Sequence, residues 1–200
     1  MQWVTVEQRD IQALGGWKAR YPTAYILART LKPLGVKSVL ETTYGEGRFY
    51  VLFRPSYLVG VDVVKRRWLT YPDEFYLMTV WEFYNLAKKG GFKPRTAIDV
   101  VVCDPPWGKE QRREHYTRNA PYAIIHYSVK TAELLNARYF LLHYHRVIRI
   151  EGFEMVKVVE FVPLTRYLNT KYTRTYFALY EYSGRESSGG ASPSAPESSV

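Results

Sequence analysis

The chain has 200 residues, 46% of them hydrophobic and 24% charged, with a formal charge of +9, 18 tyrosines and a single cysteine. That is the size and composition of one globular domain with a proper core. It excludes an intrachain disulfide and a cysteine-based metal cluster, and no apolar run approaches the ~20 residues of a bilayer span. The expected setting is reducing and cytoplasmic, since the lone thiol is Cys103 and the opening MQWVTVEQRD lacks the basic start and apolar core of a signal peptide. The last seventeen residues hold one Arg and two Glu, which leaves the body ahead of them at +10. A small basic domain points to a polyanionic partner such as nucleic acid.

Residues 1–183 read as one domain, with 1–22 as an N-terminal extension. The spacing predicts an amphipathic helix over 23–35, with Thr23 as its cap and Gly35 just beyond its end. Short β-rich runs follow at 37–42, 57–63, 75–83 and 96–104. Helical spacing returns at 120–137, and 138–145, 154–164 and 175–182 read as strands. The tail from 184 to 200 is rich in Ser, Gly, Pro and Ala; it cannot offset its ordering entropy and is expected to be disordered. Continuous Val/Ile/Leu strands alternating with helices indicate an α/β fold: a Rossmann-like, mostly parallel, seven-stranded sheet with helices on both faces. The closeness of the last two strands predicts an antiparallel C-terminal hairpin at one sheet edge. In such sheets ligands bind beyond the carboxyl ends of the strands, so the residues that terminate strands carry the functional signal.

The first run ends in Glu41 and a Gly-x-Gly turn, Gly45 and Gly47, and the second ends in Asp62. Glycines let the main chain turn tightly and let a ligand approach it closely. An acid at the end of the second strand suits the two hydroxyls of a ribose. The position three beyond Gly47 is Tyr50 rather than glycine. That argues against a dinucleotide and for a ligand with a ribose but no pyrophosphate.

The fourth run ends in AIDVVVCDPPWG, residues 97–108. Two prolines hold the segment rigidly extended. The Asp104 carboxylate and the Pro105 carbonyl then offer two acceptors, which match the two donors of an NH₂ group. Pro106 continues the rigid segment, and Trp107 offers a face on which a flat heterocycle stacks. Such a cradle frees the lone pair of a conjugated amine and stabilises positive charge developing on nitrogen. A rigid turn with a packed Trp is the plainer reading of the same residues.

With those motifs in hand, the chain resembles a class I S-adenosylmethionine-dependent methyltransferase of the amino-methylating branch. That branch carries (Asp/Asn/Ser)-Pro-Pro-(Tyr/Phe/Trp), matched by Asp104, Pro105, Pro106 and Trp107. ETTYGEG resembles its Glu-Pro-x-Ala-Gly-x-Gly motif, with Thr42 in place of Pro and Tyr44 in place of Ala. The resemblance implies S-adenosyl-L-methionine as cofactor. It places Gly45 and Gly47 by the methionine part and Asp62 at the ribose. Glu41 and Thr43 lie beside them, with help from the N-terminal extension. Thr23, in RYPTAYILARTL, resembles a methionine-carboxylate contact, and Thr79, Val80 and Trp81 fall where the branch flanks the adenine, without its usual acid.

The branch methylates adenine N6, cytosine N4, guanine N2 and glutamine amides, so the motif does not name the substrate. There is no room for a separate DNA-recognition domain. Two basic segments suit a polyanion: 108–122, with Lys109, Arg112 and Arg113, and 163–175, with Arg166, Tyr167, Lys171, Tyr172 and Arg174. Interleaved rings and cations suit single-stranded or loop RNA, although a solvated loop reads almost as well. RNA, in tRNA or rRNA, is therefore expected before DNA. A DNA or protein-amide methyltransferase, or a non-catalytic RNA-binding or scaffolding module, are the alternatives. A protein partner for substrate recognition fits the missing domain, and no membrane association is expected. His115, His126, His143 and His145 lack a ligand-like spacing and read as core or rim residues rather than a metal site.

Overall fold

The structure, a computed structural model, describes residues 1–106, 120–164 and 174–184. Trp107, Gly108, Lys109, Arg112, Arg113, His115, Arg166, Tyr167, Lys171, Tyr172 and the tail beyond Gly184 lie outside the described residues.

Among the described residues eight strands form one sheet. They are β1 (Gln2–Glu7), β2 (Ser38–Glu41), β3 (Tyr57–Asp62), β4 (Glu74–Leu77), β5 (Val100–Cys103), β6 (Tyr139–Tyr144), β7 (Phe153–Val162) and β8 (Thr175–Tyr182). The order across the sheet is β1-β7-β8-β6-β5-β2-β3-β4. All neighbours pair in parallel except β8, which is antiparallel to both β6 and β7. The expected seven strands are corrected to eight, because Gln2–Glu7 adds a strand parallel to β7. The expected hairpin is also relocated. β7 and β8 do pair antiparallel, but β8 is threaded between β6 and β7, and β1 closes the edge. A covered β7 no longer presents a row of unpaired amides and carbonyls.

Five helices complete the described part: α1 (Gln8–Gln12), α2 (Gly16–Arg20), α3 (Pro22–Leu31), α4 (Val80–Lys88) and α5 (Ala120–Leu134). They cover both faces. Ile26, Leu27 and Leu31 of α3, with Ile11 of α1, pack on Val39, Leu58, Val100, Val102, Leu141 and Phe177. Phe83 of α4 and Ile125, Val129 and Ala132 of α5 pack on the other face, with Leu40, Val59, Val101, Cys103 and Phe140. Because the sheet is buried on both sides, β2, β3 and β5 are buried along their whole lengths. This is why their sequences show no alternation. Burial pushes the Cys103 thiol up to about 12, so the lone cysteine is a core residue.

Two local readings change. Thr23 does not cap α3: Tyr21 holds that position, Pro22 opens the helix, and Thr23 lies inside its first turn. Pro is favoured there because its missing N–H would have no helical partner anyway. The helix gives way to a 3₁₀ turn at Lys32–Leu34, and Gly35 follows with φ +67°. The run 75–83, expected as one strand, is β4 followed by α4. Thr79 and Glu82 form a reciprocal capping box that starts the helix in mid-run.

Candidate active site at the carboxyl edge of the sheet

The parallel strands deliver their last residues to one edge, and the order reverses between β2 and β5. Glu41 ends β2, Asp62 ends β3 and Asp104 follows β5 directly. The turn after β2 is built to meet Asp62. Gly45 adopts φ +56°, and its N–H donates to Asp62 Oδ2 at 2.7 Å, while Val64 N–H donates to Oδ1 at 3.1 Å. Each Asp62 oxygen therefore keeps one further lone pair. A Cβ at Gly45 would meet nothing within 4 Å, so the backbone here borders open space.

Gly47 is required for a different reason. With φ +69°, its missing Cβ would overlap the Thr70 carbonyl and the Tyr44 hydroxyl. Tyr44, which stands where the resemblance has alanine, is buried, stacks on Tyr50 at 5.9 Å and donates to the Thr70 carbonyl at 2.7 Å. It also fills the space beside Gly60, where a Cβ would press on its ring. The aromatic replacement and the two glycines are one packing unit.

Asp104 is held twice. Its N–H donates to Thr43 Oγ1 at 2.7 Å, which ties the start of the Asp-Pro-Pro segment to the turn after β2. Its Oδ1 lies 3.1 Å from His143 Nδ1. The register explains the second contact: Val102 pairs with Leu141 and Cys103 with Leu142, which carries Asp104 to the level of His143. His143 is 2% exposed, stacked on Phe177 at 4.0 Å, with Nε2 3.1 Å from Thr175 Oγ1. The sequence reading missed this role. The alternation of HYH could suggest that two histidines share a face, but not which neighbour they meet. Thr42, in the branch's proline position, bonds the Val102 carbonyl and shares a hydrogen bond with Ser128 of α5. The ends of β2 and β5 are thereby fixed to each other.

Three carboxylates thus converge in a protein that is positive overall. Burial, then the charges of Asp104 and Asp62, raise the Glu41 carboxyl well above its ordinary value, and the nearby Tyr50 hydroxyl opposes them. The opposition falls short of a formed bond: Glu41 Oε2 and Tyr50 Oη are both buried without a hydrogen-bond partner among the described residues. No group of three or more His, Cys, Asp or Glu among the described residues is placed to hold a metal ion. An unsatisfied buried acceptor beside two further acids favours a ligand that brings donors and positive charge.

The remaining expected residues distribute as follows. Thr23 is half-buried in the first turn of α3. Thr79 lies just past β4, its hydroxyl taken by the capping box, and Trp81 beside it is 54% exposed. Pro105 is buried and Pro106 half-buried. Arg174, expected to face a phosphate, is bonded to Glu160 of β7 at 2.7 Å. Burial alone would raise the Glu160 carboxyl, but Arg174 and Thr5 overcome it and hold it below its ordinary value.

No family model and no curated protein sequence matches the chain. Among solved structures it is similar to a protein described as a DNA modification methyltransferase encoded within an E. coli prophage. The TM-score is 0.45 at 12% identity over 72% of this chain, and the chain spans 46% of that protein's length. The described sheet is mostly parallel with helices on both faces, a Rossmann-like arrangement.

Proposed function

We propose that the chain is an S-adenosylmethionine-dependent methyltransferase acting on the exocyclic amino group of a nucleobase, with RNA as the polymer. The observation that carries the reading is the doubly held Asp104, opening an Asp-Pro-Pro segment at the same sheet edge as Gly45 and Asp62. The donor set fits the cofactor. Asp62 retains acceptor capacity for ribose hydroxyls, Gly45 borders open space, and the buried Glu41 Oε2 has no hydrogen-bond partner among the described residues. When bound, S-adenosylmethionine supplies an electrophilic methyl group on a sulfonium.

The residues of the chain do the rest. Asp104 and the Pro105 carbonyl accept the two N–H hydrogens of the amine and favour a pyramidal nitrogen with its lone pair free. The carboxylate stabilises the positive charge that grows on nitrogen and stands next to the proton the product must lose. His143 and Thr43 hold that carboxylate and its backbone in one orientation, so little reorganisation accompanies the reaction. Trp107 would supply the stacking face for the base. An unpaired nucleotide is the cheapest substrate, because a paired one must first leave its stack.

The test is transfer of a labelled methyl from S-adenosylmethionine to total RNA, genomic DNA and a protein extract, followed by nucleoside digestion. Label in one RNA nucleoside is expected. Asp104→Ala should lower transfer at least about a hundredfold while cofactor affinity stays near the wild-type value. An Asp104→Ala protein that keeps its full rate would overturn the mechanism. Label confined to DNA or protein would overturn the polymer, and cofactor binding with no transfer would favour the non-catalytic alternative.

A further inference from the structure

Residues 11–40 contain no aspartate or glutamate, yet they hold Lys18, Arg20, Arg29, Lys32 and Lys37. Among the described residues none of the five is paired with a carboxylate. Four of them lie over aromatic rings. Trp17 and Tyr21 stack at 5.6 Å with 15° between their planes, and the Arg20 guanidinium is 5.8 Å from the first ring and 5.6 Å from the second. Tyr25 follows, with the Lys18 ammonium and the Arg29 guanidinium each 5.9 Å from its ring. Lys32 stands 6.0 Å from Phe53.

Tyr25 and Arg29, four residues apart, share one face of α3, and Trp17 and Tyr21 adjoin it through their stack and through Lys18 over Tyr25. Tyr21, with φ −129° and ψ 68°, separates α2 from α3, but it is tied to both: its N–H donates to the Trp17 carbonyl and its own carbonyl accepts from the Tyr25 N–H. The opposite side of α3, with Ile26, Leu27 and Leu31, is the one that packs on the sheet. Nothing in α2 is buried, and Trp17 is 59% exposed. A large ring left half in water at the head of a cationic stripe is not a core residue that missed its place.

The stripe begins at the carboxyl edge. β1 runs parallel to β7 and hands on to α1 there, where the Leu164 N–H meets Gln8 Oε1 at 3.0 Å. α3 then runs back toward the start of β2 and packs on the 3₁₀ turn Arg48–Tyr50 that follows Gly47. Trp17 and Tyr21 therefore lie at the end of the sheet that carries Asp62 and Asp104. Tyr25, Arg29 and Lys32 lead away from it along roughly 16 Å of helix.

We infer that this face is a track for single-stranded nucleic acid, holding the nucleotides next to the one presented to Asp104. Unpaired bases stack on Trp17 and Tyr21, and Lys18, Arg20, Arg29 and Lys32 meet the phosphates. Rings for the bases and cations for the phosphates are the two elements of single-strand binding. The absence of any acid over thirty residues removes the repulsion that a polyanion would otherwise meet. Duplex is excluded from the rings because its bases offer no free face. The choice of nucleic acid as the polyanion rests on the function proposed above.

The test is fluorescence anisotropy of a short unstructured RNA oligonucleotide against the full chain, without cofactor, and with DNA of the same sequence as a second probe. Trp17→Ala should weaken binding about tenfold, and Trp17→Tyr should retain most of it. Lys18→Ala with Arg20→Ala should flatten the dependence of log affinity on log salt by about 1.4, from about 0.7 per phosphate contact. A duplex of the same sequence should compete poorly. The melting temperature should not move in any of these variants, because the substituted side chains are exposed. Wild-type affinity in Trp17→Ala and in the double variant would overturn the track. So would a dimer in light scattering that Trp17→Ala converts to monomer, since a second copy would then cover the face. The two proposals fail separately. Trp17-dependent binding without methyl transfer to any polymer would remove the proposed reaction and keep the track. Transfer that needs Asp104 but is indifferent to Trp17 would do the reverse.

Discussion

His143 offers the sharpest handle at the scale of one residue. If Nδ1–H donates to Asp104, Nε2 is left to accept from the Thr175 hydroxyl, so a single tautomer satisfies both contacts. The ring also fills a slot between Phe49 and Phe177. The packing and the hydrogen bond can be separated by substitution. His143→Phe keeps an aromatic ring in the slot but removes the donor, and His143→Asn places an amide N–H near the position of Nδ1. The expectation is a fall in kcat of about ten- to a hundredfold for the phenylalanine variant, with partial recovery in the asparagine variant. KM for RNA and cofactor affinity should stay unchanged in both. Steady-state kinetics beside calorimetric cofactor titration checks this. A phenylalanine variant with wild-type kcat would reduce His143 to a packing residue.

At the scale of elements, the run FYLMTVWEF shows how one local contact decides between two structures. Its residues suit a strand almost throughout, and it is a strand as far as Leu77. Thr79 then accepts from the Glu82 N–H at 3.1 Å while Glu82 accepts from the Thr79 N–H at 2.8 Å, and the chain turns helical. Thr79→Ala removes one half of this box. It should destabilise the protein by about 1 kcal/mol, a drop of about 2–4 °C in Tm, read by thermal denaturation. A Tm equal to wild type would mean that packing of Phe83 alone sets the start of α4. The Thr-x-x-Glu spacing was visible in the sequence and was outweighed by the apolar run. Elements whose burial imposes one composition were legible: β2, β3 and β5 are buried along their lengths and carry apolar stretches without polar alternation. The strand ends at Glu41, Asp62 and Asp104 were legible with them, because each apolar stretch gives way to an acid. What depends on remote pairing was not. β1 holds only exposed and half-buried residues and finds its partner about 155 positions away. The insertion of β8 between β6 and β7 leaves no mark on any single strand. The His143 contact needs the β5–β6 register, which neither strand carries alone.

At the scale of the whole molecule, charge is divided between a basic exterior and an acidic site, and Glu41 makes that division measurable. It is 2% exposed, and burial, followed by Asp104 and Asp62, keeps its carboxyl protonated well above the ordinary 4.5. In the unfolded chain the same group ionises near 4.5. Between that pH and the raised folded value the native state holds a proton that the unfolded state has released, so stability falls as pH rises through this window. The slope contributed by one such group is about 1.4 kcal/mol per pH unit. Glu41→Gln stays neutral at every pH and escapes the loss. Its Tm relative to wild type should therefore be flat below 4.5 and climb as pH rises from there to the raised folded value. Asp104→Asn removes the second-largest cause of the shift, so in that background the climb should end at a lower pH. Thermal melts of the four proteins across the range from about pH 4 to about pH 8 decide the matter. A Glu41→Gln gain that is the same at every pH would mean that the carboxylate is already ionised in the folded protein. A climb unchanged by Asp104→Asn would mean that the two acids do not share one electrostatic site.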